Sequence, residues 1–175
     1  MDEAFMATMK RHVAHLSVGA STVRGQRTKG LVGAARSALC AVDLARFAVK
    51  QRNIFDRRLD DATEVVSRRL PQSARSWGLS RKITNIFLRL ALYNRFLCEH
   101  YDLHRAEAFY EVALDSIVAK CIKRRSEGYP LPTWPGVKHL TADVSKVFQQ
   151  RASEIADEKG IFRVHLDMIF WTERE

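Results

Sequence analysis

The stretch Ser76-Trp77-Gly78-Leu79-Ser80-Arg81-Lys82-Ile83-Thr84-Asn85 decides the predicted fold of this chain. The residues before it are typical of a helix that ends near Ala74. Gly78 is typical of a tight turn, and a long helix is predicted to begin directly after it. Two helices joined in this way form a helix-hairpin-helix, so we expect that motif here.

The helix after the turn is predicted to be the central helix of the fold. Over residues 81–99 the apolar side chains recur at helical spacing, and further apolar residues extend the stripe around much of the circumference. They are Ile83, Ile86, Phe87, Leu88, Leu90, Leu92, Phe96 and Leu97. A helix of this kind is buried on most sides, so the other elements should pack around it.

The rest of the chain predicts further helices and no strands. The predicted helices span residues 3–16, 34–52, 60–69, 104–112, 116–126, 142–159 and 162–172. Pro71 stops the third, and Thr141 is a typical N-cap for the sixth. With 175 residues, 46% of them apolar, the chain is predicted to form one compact, all-α domain over residues 1–175.

Composition also predicts where the protein resides. The N-terminus does not resemble a signal peptide, and no apolar run approaches the 18 residues of a membrane span. The three cysteines form no CxxC pair, which favours reduced thiols. We therefore expect a cytoplasmic protein without a membrane partner, and a monomer by default for this size.

Positive charge is the first indication of function. The formal net charge is +9, and the cations are segregated from the acids. Six cations and no acid lie between Ala4 and Val42, namely Lys10, Arg11, Arg24, Arg27, Lys29 and Arg36. Seven cations and no acid lie between Val65 and Cys98, namely Arg68, Arg69, Arg75, Arg81, Lys82, Arg89 and Arg95. Segregated charge suits a nucleic-acid backbone, although a solvated basic surface is the plain alternative.

Residues 17–33 are predicted to be a flexible, basic loop. They hold four of the eight glycines, Gly19, Gly25, Gly30 and Gly33, among Ser, Thr and basic residues. The segment is not a phosphate-binding P-loop, because no GK[ST] follows at the required spacing and no strand precedes it.

The hairpin itself is the predicted DNA-binding element. A tight turn before a helix presents backbone N–H groups to which a phosphate can bind, and basic side chains add to that field. The residues predicted to contact DNA are Arg75, Trp77, Gly78, Ser80, Arg81 and Arg89.

The same stretch resembles the hairpin of the helix-hairpin-helix (HhH-GPD) DNA glycosylase superfamily, whose pattern is close to LPGVGRKTAN. The matching residues are Gly78, Arg81, Lys82 and Asn85. A later superfamily segment with an essential Asp resembles Leu114-Asp115-Ser116-Ile117-Val118, and Lys120 and Arg124 match basic residues that follow it. The resemblance covers roughly residues 60–175.

Two features are most similar to the archaeal 8-oxoguanine DNA glycosylase branch. The interval from Lys82 to Asp115 is longer than in most of the superfamily, as it is in that branch. That branch also has an Asp and a Trp one helical turn apart in its damaged-base pocket, and Asp167 and Trp171 have this order and spacing. The base pocket is therefore predicted to contain Asp167, Trp171 and Ile86.

The resemblance implies a DNA glycosylase with AP-lyase activity, as used in base-excision repair. Lys82 would be the nucleophile that forms a Schiff base, and Asp115 would assist it. The implied partner is double-stranded DNA carrying a damaged base, with 8-oxoguanine as the implied lesion, and the protein would associate with the nucleoid through DNA. No metal and no cofactor are implied.

Departures from the pattern leave alternatives open. Ser80 stands where the hairpin pattern has its second glycine, and Ile117 stands where a His is common. A non-catalytic DNA-binding module that retains the hairpin is one alternative, and a glycosylase for another modified base is a second. Asp115 is also a natural helix N-cap, a role that is compatible with catalysis.

Overall fold

The computed structural model describes residues 2–173 and is helical throughout that range, without a strand. Its α-helices are α1 (Glu3–Ser17), α2 (Leu31–Cys40), α3 (Arg52–Arg69), α4 (Trp77–Tyr93), α5 (Arg95–Tyr101), α6 (Ser116–Arg124), α7 (Ala142–Asp157) and α8 (Leu166–Thr172). Short 3-10 turns lie at Leu44–Phe47, Gln72–Ala74, Leu103–Phe109, Val137–His139 and Arg163–His165. The all-α prediction is confirmed. None of the helices within residues 2–173 has the length and apolar character needed to cross a lipid bilayer.

Helix α4 is the central element, as predicted. It begins after Ser76, whose side-chain oxygen accepts a hydrogen bond from Leu79 N at 3.3 Å and so caps the helix. Most of its length is buried, including Ile83 and Phe87, which have no exposed surface. The buried face also carries polar residues, and Lys82 and Arg89 are among them. These charges are therefore held within the protein and need partners there.

Two apolar clusters make up the core, and α4 joins them. The larger cluster is formed by α1 to α5 with the turns between them, around side chains such as Phe47 and Phe55. The smaller one is formed by α6 to α8, around Phe148 and Phe170. Trp77, the first residue of α4, packs against the smaller cluster, while the rest of the helix lies in the larger one.

The predicted helix over residues 34–52 is wrong. Gly30 adopts a left-handed conformation with φ 77°, so α2 begins at Leu31 and ends at Cys40. Asp43 then accepts a hydrogen bond from Ala45 N at 3.1 Å and starts a separate 3-10 turn. The predicted loop over 17–33 is correspondingly shorter, and residues 18–30 are called the N-terminal loop below.

The predicted helix over residues 81–99 is in fact two helices. Asn94 has an extended backbone, and its side-chain oxygen accepts a hydrogen bond from Leu97 N at 3.0 Å. This cap ends α4 and begins α5, because an Asn side chain can replace the backbone partner that a helix start lacks. Helix α3 also begins at Arg52 and not at residue 60, since Phe55 and Leu59 are both buried one helical turn apart.

Gly78 is not in a turn, which corrects the prediction. It is the second residue of α4 and is buried against the segment that contains Val137 and Leu140. A Cβ at this position would overlap the Val137 carbonyl oxygen and lie 2.7 Å from the Leu140 Cβ. The glycine therefore permits a close approach of two segments. The connection between α3 and α4 is made instead by Pro71 and a 3-10 turn.

Candidate active site

The two residues predicted as catalytic lie in contact. The Lys82 Nζ is 3.4 Å from the Asp115 Oδ2, although the two residues are far apart in the chain. Lys82 lies in the second turn of α4, and its side chain is only 9% exposed. The two groups thus form an ion pair that is largely shielded from water, where charges interact more strongly than at a surface.

Asp115 has two roles at once. Its Oδ1 accepts hydrogen bonds from Ile117 N at 2.9 Å and Val118 N at 3.0 Å, which caps α6. Its other oxygen, Oδ2, faces the Lys82 amine. Because the cap holds the carboxylate rigidly at the start of the helix, the position of the oxygen next to Lys82 is also fixed.

The N-terminal loop supplies a third partner of this pair. The Lys82 Nζ donates a hydrogen bond to the backbone carbonyl oxygen of Thr22 at 3.1 Å. The loop itself is anchored to α2, since Arg36 Nε donates to the Val18 carbonyl at 3.0 Å. The Lys82 amine therefore has two oxygen partners, one from the carboxylate that caps α6 and one from the backbone of the loop.

The ion pair lies in a cavity of about 550 Å³. This volume is within the range of about 300–1,000 Å³ that is typical of small-molecule sites. The cavity is lined by every residue predicted as catalytic or as part of the base pocket, namely Lys82, Asp115, Ile86, Asp167 and Trp171. Four distant parts of the chain, α4, the start of α6, α8 and the N-terminal region, therefore meet at one place.

Helix α8 forms another part of the cavity wall. Asp167 and Trp171 lie one turn apart on it and both line the cavity. Asp167 is buried and forms a 2.6 Å ion pair with Arg89 of α4, while Trp171 is 52% exposed. The wall thus combines a buried carboxylate with an accessible indole ring. The Arg89 Nε is itself buried and has no hydrogen-bond partner within the described residues.

A second buried ion pair supports α4 next to the cavity. The Arg81 Nε lies 2.9 Å from the Glu111 Oε2, and the Asn85 amide donates to the same oxygen at 2.9 Å. Burial alone would raise the pKa of Glu111, but the charge and hydrogen bonds of Arg81, with Arg163 and Asn85, outweigh it and hold this pKa below its usual value. Glu111 is therefore an ionised anchor for the helix.

Most of the residues predicted to contact DNA lie inside the protein. Gly78 and Ser80 are buried in the first turn of α4, and the Arg81 and Arg89 side chains are 9% and 11% exposed and paired with acids. Two others are accessible. Arg75 is exposed, and Trp77 is partly buried with the Arg81 guanidinium 5.3 Å from its ring centre.

Sequence reasoning missed the N-terminal wall of the cavity. Leu16 and Ser17 at the end of α1 line it, together with Ser21, Thr22 and Arg24 of the N-terminal loop. The resemblance did not extend to this region, and the glycines and cations of the loop gave no indication of what it would pack against. The hydrogen bond from Lys82 to the Thr22 carbonyl oxygen joins residues that are 60 positions apart in the chain.

His165 contacts side chains from two other parts of the chain. Its Nδ1 is 2.7 Å from the Tyr93 hydroxyl, and its Nε2 is 3.1 Å from the Glu107 Oε1. The part of the chain that the structure describes contains no group of three His, Cys, Asp or Glu side chains able to hold a metal ion.

Comparison of this chain with family models, with curated proteins and with solved structures gives no match. The resemblance to helix-hairpin-helix DNA glycosylases thus stays a prediction from the motif residues.

Proposed function

We propose that this protein is a DNA glycosylase with AP-lyase activity that removes an oxidised purine, with 8-oxoguanine as the proposed lesion. The observation that carries the proposal is the 3.4 Å contact between the Lys82 Nζ and the Asp115 Oδ2 at the wall of a cavity. An amine, a carboxylate and an adjoining cavity are the parts that Schiff-base chemistry on an extruded nucleotide requires.

The reaction begins with a proton transfer, because an amine must be neutral to attack. Asp115 accepts a proton from Lys82, and the amine then attacks C1′ of the damaged nucleotide. A C–N bond forms while the glycosidic bond breaks, and the base leaves with the electrons of that bond and takes up a proton. The nitrogen, which carries a positive charge after the attack, then loses a proton. Its lone pair opens the C1′–O4′ bond, O4′ takes up a proton, and the Schiff base between Lys82 and C1′ results.

Strand cleavage follows from the same intermediate. Loss of a proton from C2′ expels the phosphate oxygen on C3′ and breaks the strand. Water then adds to C1′ and releases the Lys82 amine. No redox step and no cofactor are needed for this sequence, since each bond that breaks is balanced by a proton transfer or by water.

The base would occupy the part of the cavity next to α8. Trp171 is accessible enough to stack on an extruded base, and a carboxylate such as Asp167 accepts hydrogen bonds from the N–H groups at a purine edge. Because Asp167 is already paired with Arg89, the two side chains together offer acceptor and donor groups. Such a pair suits a base that presents both N–H and carbonyl groups.

The decisive experiment is covalent trapping. The protein is incubated with a duplex that contains one 8-oxoguanine in the presence of borohydride, which reduces a Schiff base to a permanent amine link. We expect a protein–DNA adduct with the wild type and none with Lys82→Gln. The matched control is Lys159→Gln, which changes an exposed lysine outside the cavity and should leave the adduct undiminished.

Two results would contradict the proposal. One is the absence of an adduct with the wild type on a panel of duplexes that carry different modified bases. The other is an adduct of full yield with Lys82→Gln. In the first case, duplex binding that persists without base release would favour the non-catalytic DNA-binding module. An adduct that forms with another modified base but not with 8-oxoguanine would change only the assigned substrate.

A further inference from the structure

The cations of residues 65–98, called the hairpin stretch, are already engaged within the protein. Arg81, Lys82 and Arg89 form buried ion pairs with acids from other elements. The remaining four have local partners: Arg68 pairs with Glu64, Arg95 pairs with Glu99, and Arg69 and Arg75 donate to backbone carbonyls. Five of the seven cations of this stretch are therefore paired with acids, three of them in buried ion pairs.

The N-terminal loop differs in this respect. Its cations are Arg24, Arg27 and Lys29, all exposed, and the loop has no acid. None of the three side chains has a hydrogen-bond or ion-pair partner within residues 2–173. Arg24 in addition lines the cavity, two residues from the carbonyl that accepts the Lys82 hydrogen bond. This loop thus brings an uncompensated positive charge to the mouth of the site.

We propose that the N-terminal loop is a DNA-backbone contact and that Arg24 binds a phosphate beside the extruded nucleotide. The inference rests on the proposed function for its ligand, duplex DNA. A guanidinium with no internal partner loses no ion pair when it binds a phosphate, and its planar donors match phosphate oxygens. Arg27 and Lys29 extend the same contact away from the cavity. Because Thr22 holds Lys82, a phosphate at Arg24 also positions the loop next to the reacting amine.

The test measures binding separately from catalysis. The affinity of the protein for a duplex with one 8-oxoguanine is measured by fluorescence anisotropy at several salt concentrations, with the undamaged duplex alongside. Loss of one phosphate contact should lower the slope of log K against log salt by about 1 and weaken binding to both duplexes alike. We expect this for Arg24→Gln, and a larger change when Arg27→Gln and Lys29→Gln are added.

The matched control is Arg57→Gln, an exposed arginine of α3 that does not line the cavity. An Arg24→Gln variant with the slope and affinity of Arg57→Gln would overturn the inference, even when the wild type forms the trapped adduct. Conversely, a wild type that binds DNA through Arg24 but forms no adduct would overturn the proposed glycosylase activity and leave the loop contact standing. A wild type that binds neither duplex would overturn both.

Discussion

The hairpin stretch (65–98) and the N-terminal loop (18–30) are similar in sequence, since both are basic and contain no acid. They differ in what the fold does with their charges. In the hairpin stretch the long helix α4 passes through the core, and its cations are held by Glu111, Asp115 and Asp167. In the N-terminal loop the cations remain exposed and unpaired within the described residues.

The difference has a physical cause. A charge on a buried helix must be matched by a partner, because an uncompensated charge away from water is strongly destabilising. A charge on an exposed loop is solvated and needs no partner. Equal charge density in a sequence therefore does not mean equal availability for an anionic ligand. We expect substitutions in the two regions to separate stability from DNA binding.

The largest effect on stability is expected for Arg81→Gln. This change leaves the Glu111 carboxylate buried without its ion pair, which should cost about 3–5 kcal/mol of unfolding free energy. Arg24→Gln should change it by less than about 0.5 kcal/mol, as is usual for exposed positions. Urea denaturation of both variants measures the contrast, and equal midpoints would remove the distinction between the two regions.

The ion pair of Arg81 with Glu111 also predicts that the stability of the protein depends on pH. Because the folded-state pKa of Glu111 lies below its ordinary value of 4.5, its ionised form contributes stability above that value. The contribution is lost as the pH falls through the lowered folded-state pKa. In Arg81→Gln the main cause of the lowered Glu111 pKa is gone, so the stability gap between the wild type and the variant should narrow below pH 4.5. Denaturation curves across this range test the sign.

The next effect concerns the close contact of Gly78 at the start of α4. Gly78→Ala places a methyl group against the Val137 carbonyl and Leu140, and overpacking of this kind costs about 1–3 kcal/mol. The control is Gly33→Ala in α2, where an added Cβ meets nothing within 4 Å. This control should stabilise the protein by about 0.5–1 kcal/mol, because alanine is the better helix former. A harmless Gly78→Ala would contradict the packing at this position.

A smaller effect on stability is expected at Asp115, where two substitutions separate its role as a helix cap from its ion pair with Lys82. Asp115→Asn retains a good N-cap and removes the negative charge, whereas Asp115→Ala removes both. Both variants lose the ion pair with Lys82, so the alanine variant should be less stable than the asparagine variant by about 1 kcal/mol, the usual worth of a cap. Trapped adduct should fall strongly in both. Full adduct with Asp115→Asn would show that the carboxylate is not needed.

The smallest effect on stability is expected from the loop as a whole. Changing Arg24, Arg27 and Lys29 together to Gln should leave the thermal midpoint within about 2 °C, since exposed substitutions without partners are close to neutral. A marked loss of stability would show that these side chains have a structural role, and it would weaken the comparison with the hairpin stretch.

Local patterns in the sequence predicted several features that the structure bears out. The apolar stripe predicted a central helix, Asp115 was expected to cap α6, and Thr141 was expected to cap α7, where it accepts from Val144 N at 3.4 Å. Each of these features depends on residues within a few positions of one another, so the local sequence pattern is sufficient to predict it. The break at Asn94 was missed because an apolar stripe continues across it, and only the local backbone and its cap reveal two helices.

The sequence by itself determined that the chain is helical and that α4 lies at its centre, and it singled out Lys82 and Asp115 as a pair to test. The tertiary structure alone decided that this pair lines a cavity, where the Lys82 amine also donates to the Thr22 carbonyl oxygen. It also decided that Arg81 forms a buried ion pair with Glu111 and is not a surface cation. Helix formation depends on neighbours along the chain. The state of a charged group depends on its burial and on partners brought near it by folding, and neither can be read from spacing.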